Sequence, residues 1–132
     1  MNLDKVKNIY CIGIAGIGMS AVAGLAKAKG FHVSGSDQVN VYPPASTMLE
    51  QYNIVYHKGY RAEQVGTPDL VLIGAGECQE ENEEVRYVLE HHIPHTSFPE
   101  LLYALTLKNK RIVVAGTHGK TTTSGMLAAA MQ

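Results

Sequence analysis

Lys120 and Thr121 are the residues of this chain best suited to phosphate chemistry. They stand in Gly116-Thr117-His118-Gly119-Lys120-Thr121-Thr122-Thr123. The run follows an apolar segment, Arg111-Ile112-Val113-Val114-Ala115, and precedes a helix-like one, Ser124-Gly125-Met126-Leu127-Ala128-Ala129-Ala130. Strand, glycine-rich turn and helix is the setting a nucleotide phosphate loop needs. Backbone N–H groups at the helix start, with the helix dipole behind them, favour an anion there. Lys120 would reach the outer phosphates and Thr121 would hold Mg²⁺. Gly116, Thr117, His118, Gly119 and Thr122 complete the expected ATP-binding set, His118 mainly through its backbone. Only 12 residues follow Lys120, whereas a complete nucleotide-hydrolysing domain needs more strands and a second carboxylate for the metal. The expectation is the first piece of an ATP site, at the front of a larger enzyme.

A second glycine cluster, Gly13-Ile14-Ala15-Gly16-Ile17-Gly18, follows the first strand-like run and opens the first helix-like one. Its G-x-x-G-x-G spacing differs from the usual dinucleotide fingerprint, but the mechanics are alike. Glycine lets the backbone turn tightly and approach a diphosphate, so ligand binding is expected to depend on Gly16 and Gly18. Asp37 lies 19 residues after Gly18, where an acidic side chain can accept from a ribose or a base. Gly74-Ala75-Gly76 closes another strand. In open α/β sheets, ligands bind beyond the carboxyl ends of strands where connections reverse direction. Gly13–Gly18, Ser34–Asp37 and Gly74–Gly76 are expected to meet there. A glycine turn that merely packs a helix on a sheet is the plainer alternative.

Positioning these residues takes alternating elements. Strands are expected at Ile9–Ile14, Phe31–Ser34, Ile54–Tyr56, Leu70–Ile73 and Ile93–Thr96. Their near-continuous apolar character suggests burial on both faces, as in a parallel sheet. Helices are expected from Met19 to a C-terminal stop at Gly30, from Ser46 to Tyr52, from Asn82 to His91 and from Pro99 to Leu107. The class is α/β, a Rossmann-like parallel sheet of five strands with helices on both faces, followed by the strand, phosphate loop and helix of a truncated second domain. The polar break Lys108-Asn109-Lys110 divides residues 1–107 from residues 108–132.

The chain has 132 residues, 45% of them hydrophobic and 17% charged, with a formal net charge of −1. That is an ordinary globular composition, without the basic field that nucleic acid or an anionic membrane would attract. No apolar run approaches the roughly 20 residues that cross a bilayer. Cys11 and Cys78 form no C-x-x-C pair, and Cys11 reads as a buried reduced thiol. A cytoplasmic protein is expected.

Together these motifs resemble the Mur ligases, which build the peptide of bacterial cell-wall precursors. Gly13 to Ser20, Ser34-Gly35-Ser36-Asp37 and Ala115 to Thr123 look like that family's signatures in the family's order. The phosphate loop lacks the first glycine of a full Walker A, Val114 standing in its place, and the family shows that shorter form. The resemblance implies a UDP-sugar-binding domain using Gly13, Ala15, Gly16, Ile17, Gly18, Ser36, Asp37, Gly74, Ala75 and Gly76. It also implies a central domain in which Lys120 is catalytic. A sugar-nucleotide carboxylate, that of UDP-N-acetylmuramate, would become an acyl phosphate at the expense of ATP, and an amine would displace the phosphate. The amine-bearing peptide would be held by domains outside these residues. Tyr42-Pro43-Pro44 resembles the branch that joins L-alanyl-γ-D-glutamyl-meso-diaminopimelate to UDP-N-acetylmuramate, whereas the first glycine cluster resembles equally the branch that adds L-alanine. The other classes considered are a nicotinamide-dinucleotide domain, which would leave the phosphate loop without a purpose, and a stand-alone sugar-nucleotide binder.

Several residues have plainer readings. Glu77, Glu80, Glu81, Glu83 and Glu84 read as a solvated acidic loop entering a helix N-terminus. Among His91, His92 and His95, Pro94 breaks any helical i, i+4 pairing, and no Cys or carboxylate is spaced to complete a zinc site. His57 could face the cleft or solvent, and Tyr42 could stack on a base or pack on Pro43.

Overall fold

A computed structural model describes residues 2–38, 40–77 and 81–132. Five strands form one sheet: β1 (Asn8–Ile12), β2 (His32–Asp37), β3 (Val55–Lys58), β4 (Leu70–Ile73) and β5 (His95–Ser97). Every pairing is parallel and the order is β3-β2-β1-β4-β5. Parallel neighbours require crossover connections, here supplied by α1 (Ile17–Ala28), α2 (Ala45–Gln51), α3 (Ala62–Val65) and α4 (Glu83–Glu90). The short α3 has no counterpart in the sequence reading. α5 (Phe98–Leu105) follows β5, and α6 (Lys120–Ala130) closes the chain.

Strand alternation explains why both faces are covered. Ile9 and Cys11 of β1, with Leu70 and Leu72 of β4, pack against Met19, Val22, Leu49, Leu101 and Leu105 from α1, α2 and α5. Tyr10, Ile12, Val71 and Ile73 point the other way, onto Val65 of α3 and Val85 and Val88 of α4. Burial pushes the Cys11 thiol up to about 12, so it is a packed apolar side chain and not a nucleophile. Gly30, at φ +97°, follows the end of α1. α5 starts with a capping box between Ser97 and Glu100.

Asp69 ties the amino ends of β1 and β4 together, accepting from the Lys7 and Asn8 amides at 2.9 and 2.8 Å. These bonds hold its carboxyl below the usual value of 3.8. A depressed folded pKa contributes stability above the unfolded value and loses it as pH falls through the folded one. Asp69→Asn should therefore flatten the acid limb of a Tm-against-pH curve below 3.8. An unchanged limb would mean that the staple carries no pH-dependent stability.

Beyond α5 the architecture departs from the sequence reading. Arg111–Ala115 forms no strand and has no regular secondary structure, with Ile112 and Val113 61% and 86% exposed. Arg111 lies over the Tyr103 ring, 4.3 Å from its centroid. A single strand has no partner for its N–H and C=O groups, and apolar composition alone does not create one. α6 forms where expected but buries none of its residues. Among the described residues no helix is long and apolar enough to cross a membrane.

Candidate functional site

β1 lies between β2 and β4, so its two neighbours are reached by crossovers running in opposite directions. The carboxyl end of β1 is thus the point where the winding reverses. Ile12 stands opposite Ser36 of β2 and Ile73 of β4, and the Gly74 amide donates to the Ile12 carbonyl at 2.9 Å. The three small or polar strand ends singled out in the sequence meet at this place.

The glycine turn is clamped from β2. Gly13 turns the chain at φ +79°, a left-handed conformation that favours glycine. The Gly13 and Ile14 amides both donate to the Ser36 carbonyl, at 2.9 and 3.0 Å. The Ala15 amide donates to Asp37 Oδ2 at 2.8 Å. Gly16 is then the N-cap of α1, with no side-chain cap. The first-turn amides of Ile17, Gly18 and Met19 have no carbonyl one turn back to bond. An uncapped start of a 12-residue helix, held at the switch point, suits a diphosphate.

The individual glycines differ. A Cβ on Gly18 would lie 3.3 Å from the Phe98 ring, so its small size serves the packing of α1 on α5. A Cβ on Gly16 would make only ordinary contacts, the nearest being Met19 Cγ at 3.5 Å. A Cβ on Gly74 would stand 3.1 Å from the Ile12 carbonyl oxygen, while one on Gly76 would meet nothing within 4 Å. Ala75 and Gly76 belong to a single 3₁₀ turn, Ala75–Glu77. Around the site, Ile17 and Tyr42 are each 71% exposed, His57 is exposed, and Lys58 Nζ donates to Asn40 Oδ1 at 2.8 Å.

One acidic residue corrects the sequence reading. Glu84 is not solvated: it is fully buried in the first turn of α4. Its carboxylate accepts from the Ser36 hydroxyl, from Tyr10 Oη at 3.0 Å and from the Arg61 amide at 3.2 Å. Rotating the Gln64 amide adds a further donor at 3.3 Å. Burial raises the Glu84 pKa, while the bonds from Ser36, Arg61 and Tyr10 and the charge of His57 oppose the rise. Asn82 caps α4, accepting from the Glu84 and Val85 amides at 3.0 and 3.2 Å. The sequence carried one signal of this network: Tyr10 and Ser36 are polar residues inside otherwise buried strands. Glu83 lies at the surface beside Ala62, and Glu81 is exposed. The side chain of Glu77, with Cys78 and Glu80, lies outside the described residues.

The second candidate site is the loop before α6. Gly119 caps that helix at φ +76°. Lys120 Nζ donates to the Gly116 carbonyl at 2.7 Å and to the Thr117 carbonyl at 3.4 Å. The ammonium is thus held against the loop, beside the uncapped amides that begin an 11-residue helix. This donor set fits a phosphate. Gly116, Thr117, His118, Gly119, Lys120, Thr121 and Thr122 are all exposed. For Mg²⁺ the loop offers the Thr121 hydroxyl. Among the described residues no group of three His, Cys, Asp or Glu could hold a metal. His91 stacks on Tyr87, ring centroids 4.0 Å apart.

Comparison with known proteins follows the same outline. A family model described as "Mur ligase family, catalytic domain" matches residues 8–110. The UDP-N-acetylmuramate--L-alanyl-gamma-D-glutamyl-meso-2,6-diaminoheptandioate ligase of Haemophilus influenzae is 44% identical over 124 residues, 92% of this chain and 27% of its own length. The UDP-N-acetylmuramate--L-alanine ligase of Dictyoglomus turgidum is 41% identical over 129 residues, 97% of this chain and 27% of its own. The crystal structure of a murein peptide ligase from Psychrobacter arcticus superposes with a TM-score of 0.83 at 41% identity, covering 92% of this chain and 25% of that one. The chain therefore spans about a quarter of the length of the curated relatives it matches. With a matching model over most of its residues and the same fold in a solved relative, the chain belongs to the Mur ligase family.

Proposed function

We propose that this chain is the UDP-N-acetylmuramate-binding part of an ATP-dependent, amide-forming Mur ligase. In this reading residues 1–107 are the UDP-sugar domain, and residues 108–132 begin the central ATP-binding domain. The observation that carries it is the clamped turn. Ser36 and Asp37 take up the Gly13, Ile14 and Ala15 amides, leaving the α1 start, Gly16 to Gly18, for the diphosphate. Asp37, at the end of β2, stands where ribose or base is recognised in such folds, and Gly74, Ala75 and Gly76 form the opposite wall. Gly116, Thr117, His118, Gly119 and Thr122 would wrap the ATP phosphates, Lys120 would offset their charge and Thr121 would bind Mg²⁺. The chemistry ATP supplies is phosphorylation of the sugar-nucleotide carboxylate, giving an acyl phosphate that a peptide amine displaces. We place the reaction in the cytoplasm, with its nucleotide substrates.

Within the family, the tripeptide-joining branch is favoured by the 44% and 47% identities to ligases of that name and by Tyr42-Pro43-Pro44. The L-alanine-adding branch is the second reading, supported by 41% identity over a longer stretch.

The test is a titration of the chain with UDP-N-acetylmuramate and, separately, with NAD. The sugar nucleotide should bind and NAD should not; tighter binding of NAD would sink the reading. Gly16→Ala should lower Tm only modestly, because a Cβ there meets nothing closer than 3.5 Å and the one cost is a poorer N-cap. It should weaken sugar-nucleotide binding by roughly tenfold or more, about 1.4 kcal/mol. Unchanged affinity would mean that the diphosphate does not approach the backbone at Gly16.

A further inference from the structure

We infer that Glu84, which touches neither proposed ligand, is the positioning residue of the UDP-sugar site: through Ser36 it sets the glycine turn that receives the diphosphate. The inference rests on the proposed function for its ligand, but its geometry stands alone. Ser36 is fully buried and works in two directions. Its hydroxyl donates to the Glu84 carboxylate, and its carbonyl accepts the Gly13 and Ile14 amides at 2.9 and 3.0 Å. Glu84 is thus one side chain removed from the turn, on the face of the sheet opposite α1.

The carboxylate joins four parts of the fold. Tyr10 brings β1, Ser36 brings β2, the Arg61 amide and Gln64 bring the start and body of α3, and Glu84 itself rides on α4. All of these partners donate. A carboxylate accepts only, so the polarity of the cluster is matched, and the α4 N-terminus favours its charge. Packing alone would be met by a leucine at this depth without any polar group to satisfy. A buried acid that costs desolvation and is answered by donors from three other elements instead fixes one arrangement of the four. The feature fixed here is the end of β2, from which both Ser36 and Asp37 hold the turn.

The experiment combines local exchange with binding. Glu84→Gln keeps the shape and one acceptor, Glu84→Leu keeps only the bulk, and Ser36→Ala removes the link. Amide hydrogen exchange is followed by NMR on the 132-residue chain, and UDP-N-acetylmuramate affinity by titration. Exchange at Gly13 and Ile14 should quicken tenfold or more in Glu84→Gln, while Leu72 and Val71 in β4 keep their protection. Affinity should fall by about the same factor, and Glu84→Gln should cost no further affinity once Ser36 is alanine. Exchange that rises equally throughout the sheet would reduce Glu84 to general stability and overturn the inference. Undiminished loss of affinity in the Ser36→Ala background would overturn it too. Should Glu84→Leu fail to fold, the glutamine variant decides alone. Should wild type not bind the sugar nucleotide, the proposed function fails, and exchange at Gly13 and Ile14 still decides whether Glu84 positions the turn.

Discussion

Replacing Gly35 with alanine is expected to cost this chain its cooperative fold near ambient temperature, or to lower Tm by more than about 10 °C. Gly35 lies in β2 opposite Cys11 of β1. A Cβ there would stand 2.3 Å from the Cys11 carbonyl oxygen, 3.0 Å from Ile14 Cδ1 and 3.1 Å from Cys11 Cβ. The closest atom is backbone, fixed in the central ladder, so relief requires β1 and β2 to separate. Overpacking a well-packed interior costs about 1–3 kcal/mol, and more where backbone must move. Each kcal/mol shifts Tm by roughly 4 °C at this size. Gly24 provides the contrast. A Cβ there meets Met48 Sδ and the Tyr52 ring at 3.1 Å, side-chain atoms that need give by only a few tenths of an ångström. Gly24→Ala should therefore cost much less. Thermal unfolding of both variants checks the argument, and equal Tm values would refute it.

How much of this could be read from the sequence depended on the range of the interaction involved. Ile9 to Ile12 are apolar almost throughout, which required cover on both faces, and the cover is there. The meeting of Gly13, Ser36 and Gly74 followed from strand ends in a singly reversed sheet. Glu84 was misread because its partners, Ser36 and Tyr10, lie 48 and 74 residues away. A run of glutamates looks solvated until the fold brings hydroxyls to one of them. At Gly18 the packing alternative has a cause visible only in the fold: its hydrogen faces Phe98, 80 positions later in the chain. The 4-residue α3 is too short to show helical periodicity. At Arg111–Ala115 composition favoured a strand, but a strand is a pairing and none of the described residues pairs with it.

The same segment leads to the second large effect: a polypeptide of these 132 residues should form no amide and release no phosphate from ATP above background. The loop proposed to hold phosphate has Gly119 left-handed and Lys120 bonded to the Gly116 and Thr117 carbonyls. It lacks the surroundings that make such geometry catalytic. Donors and cations stabilise a transferring phosphoryl group strongly only when they are preorganised in a site that excludes water. Here every residue from Thr117 to Met126 is exposed and α6 buries nothing. For Mg²⁺ the loop offers a hydroxyl and no carboxylate, so charge on the phosphates is only partly offset. Loss of one preorganised donor already costs roughly 10²–10³ in rate, and here a carboxylate and the enclosing walls are wanting together. The assay combines ATP, Mg²⁺, UDP-N-acetylmuramate and L-alanyl-γ-D-glutamyl-meso-diaminopimelate, run beside a murein peptide ligase of full length. Sugar-nucleotide binding should persist while turnover stays at background. Turnover at a comparable rate would overturn the argument: the loop would then have to be enclosed by residues assigned here to the UDP-sugar domain, or by a second copy of the chain.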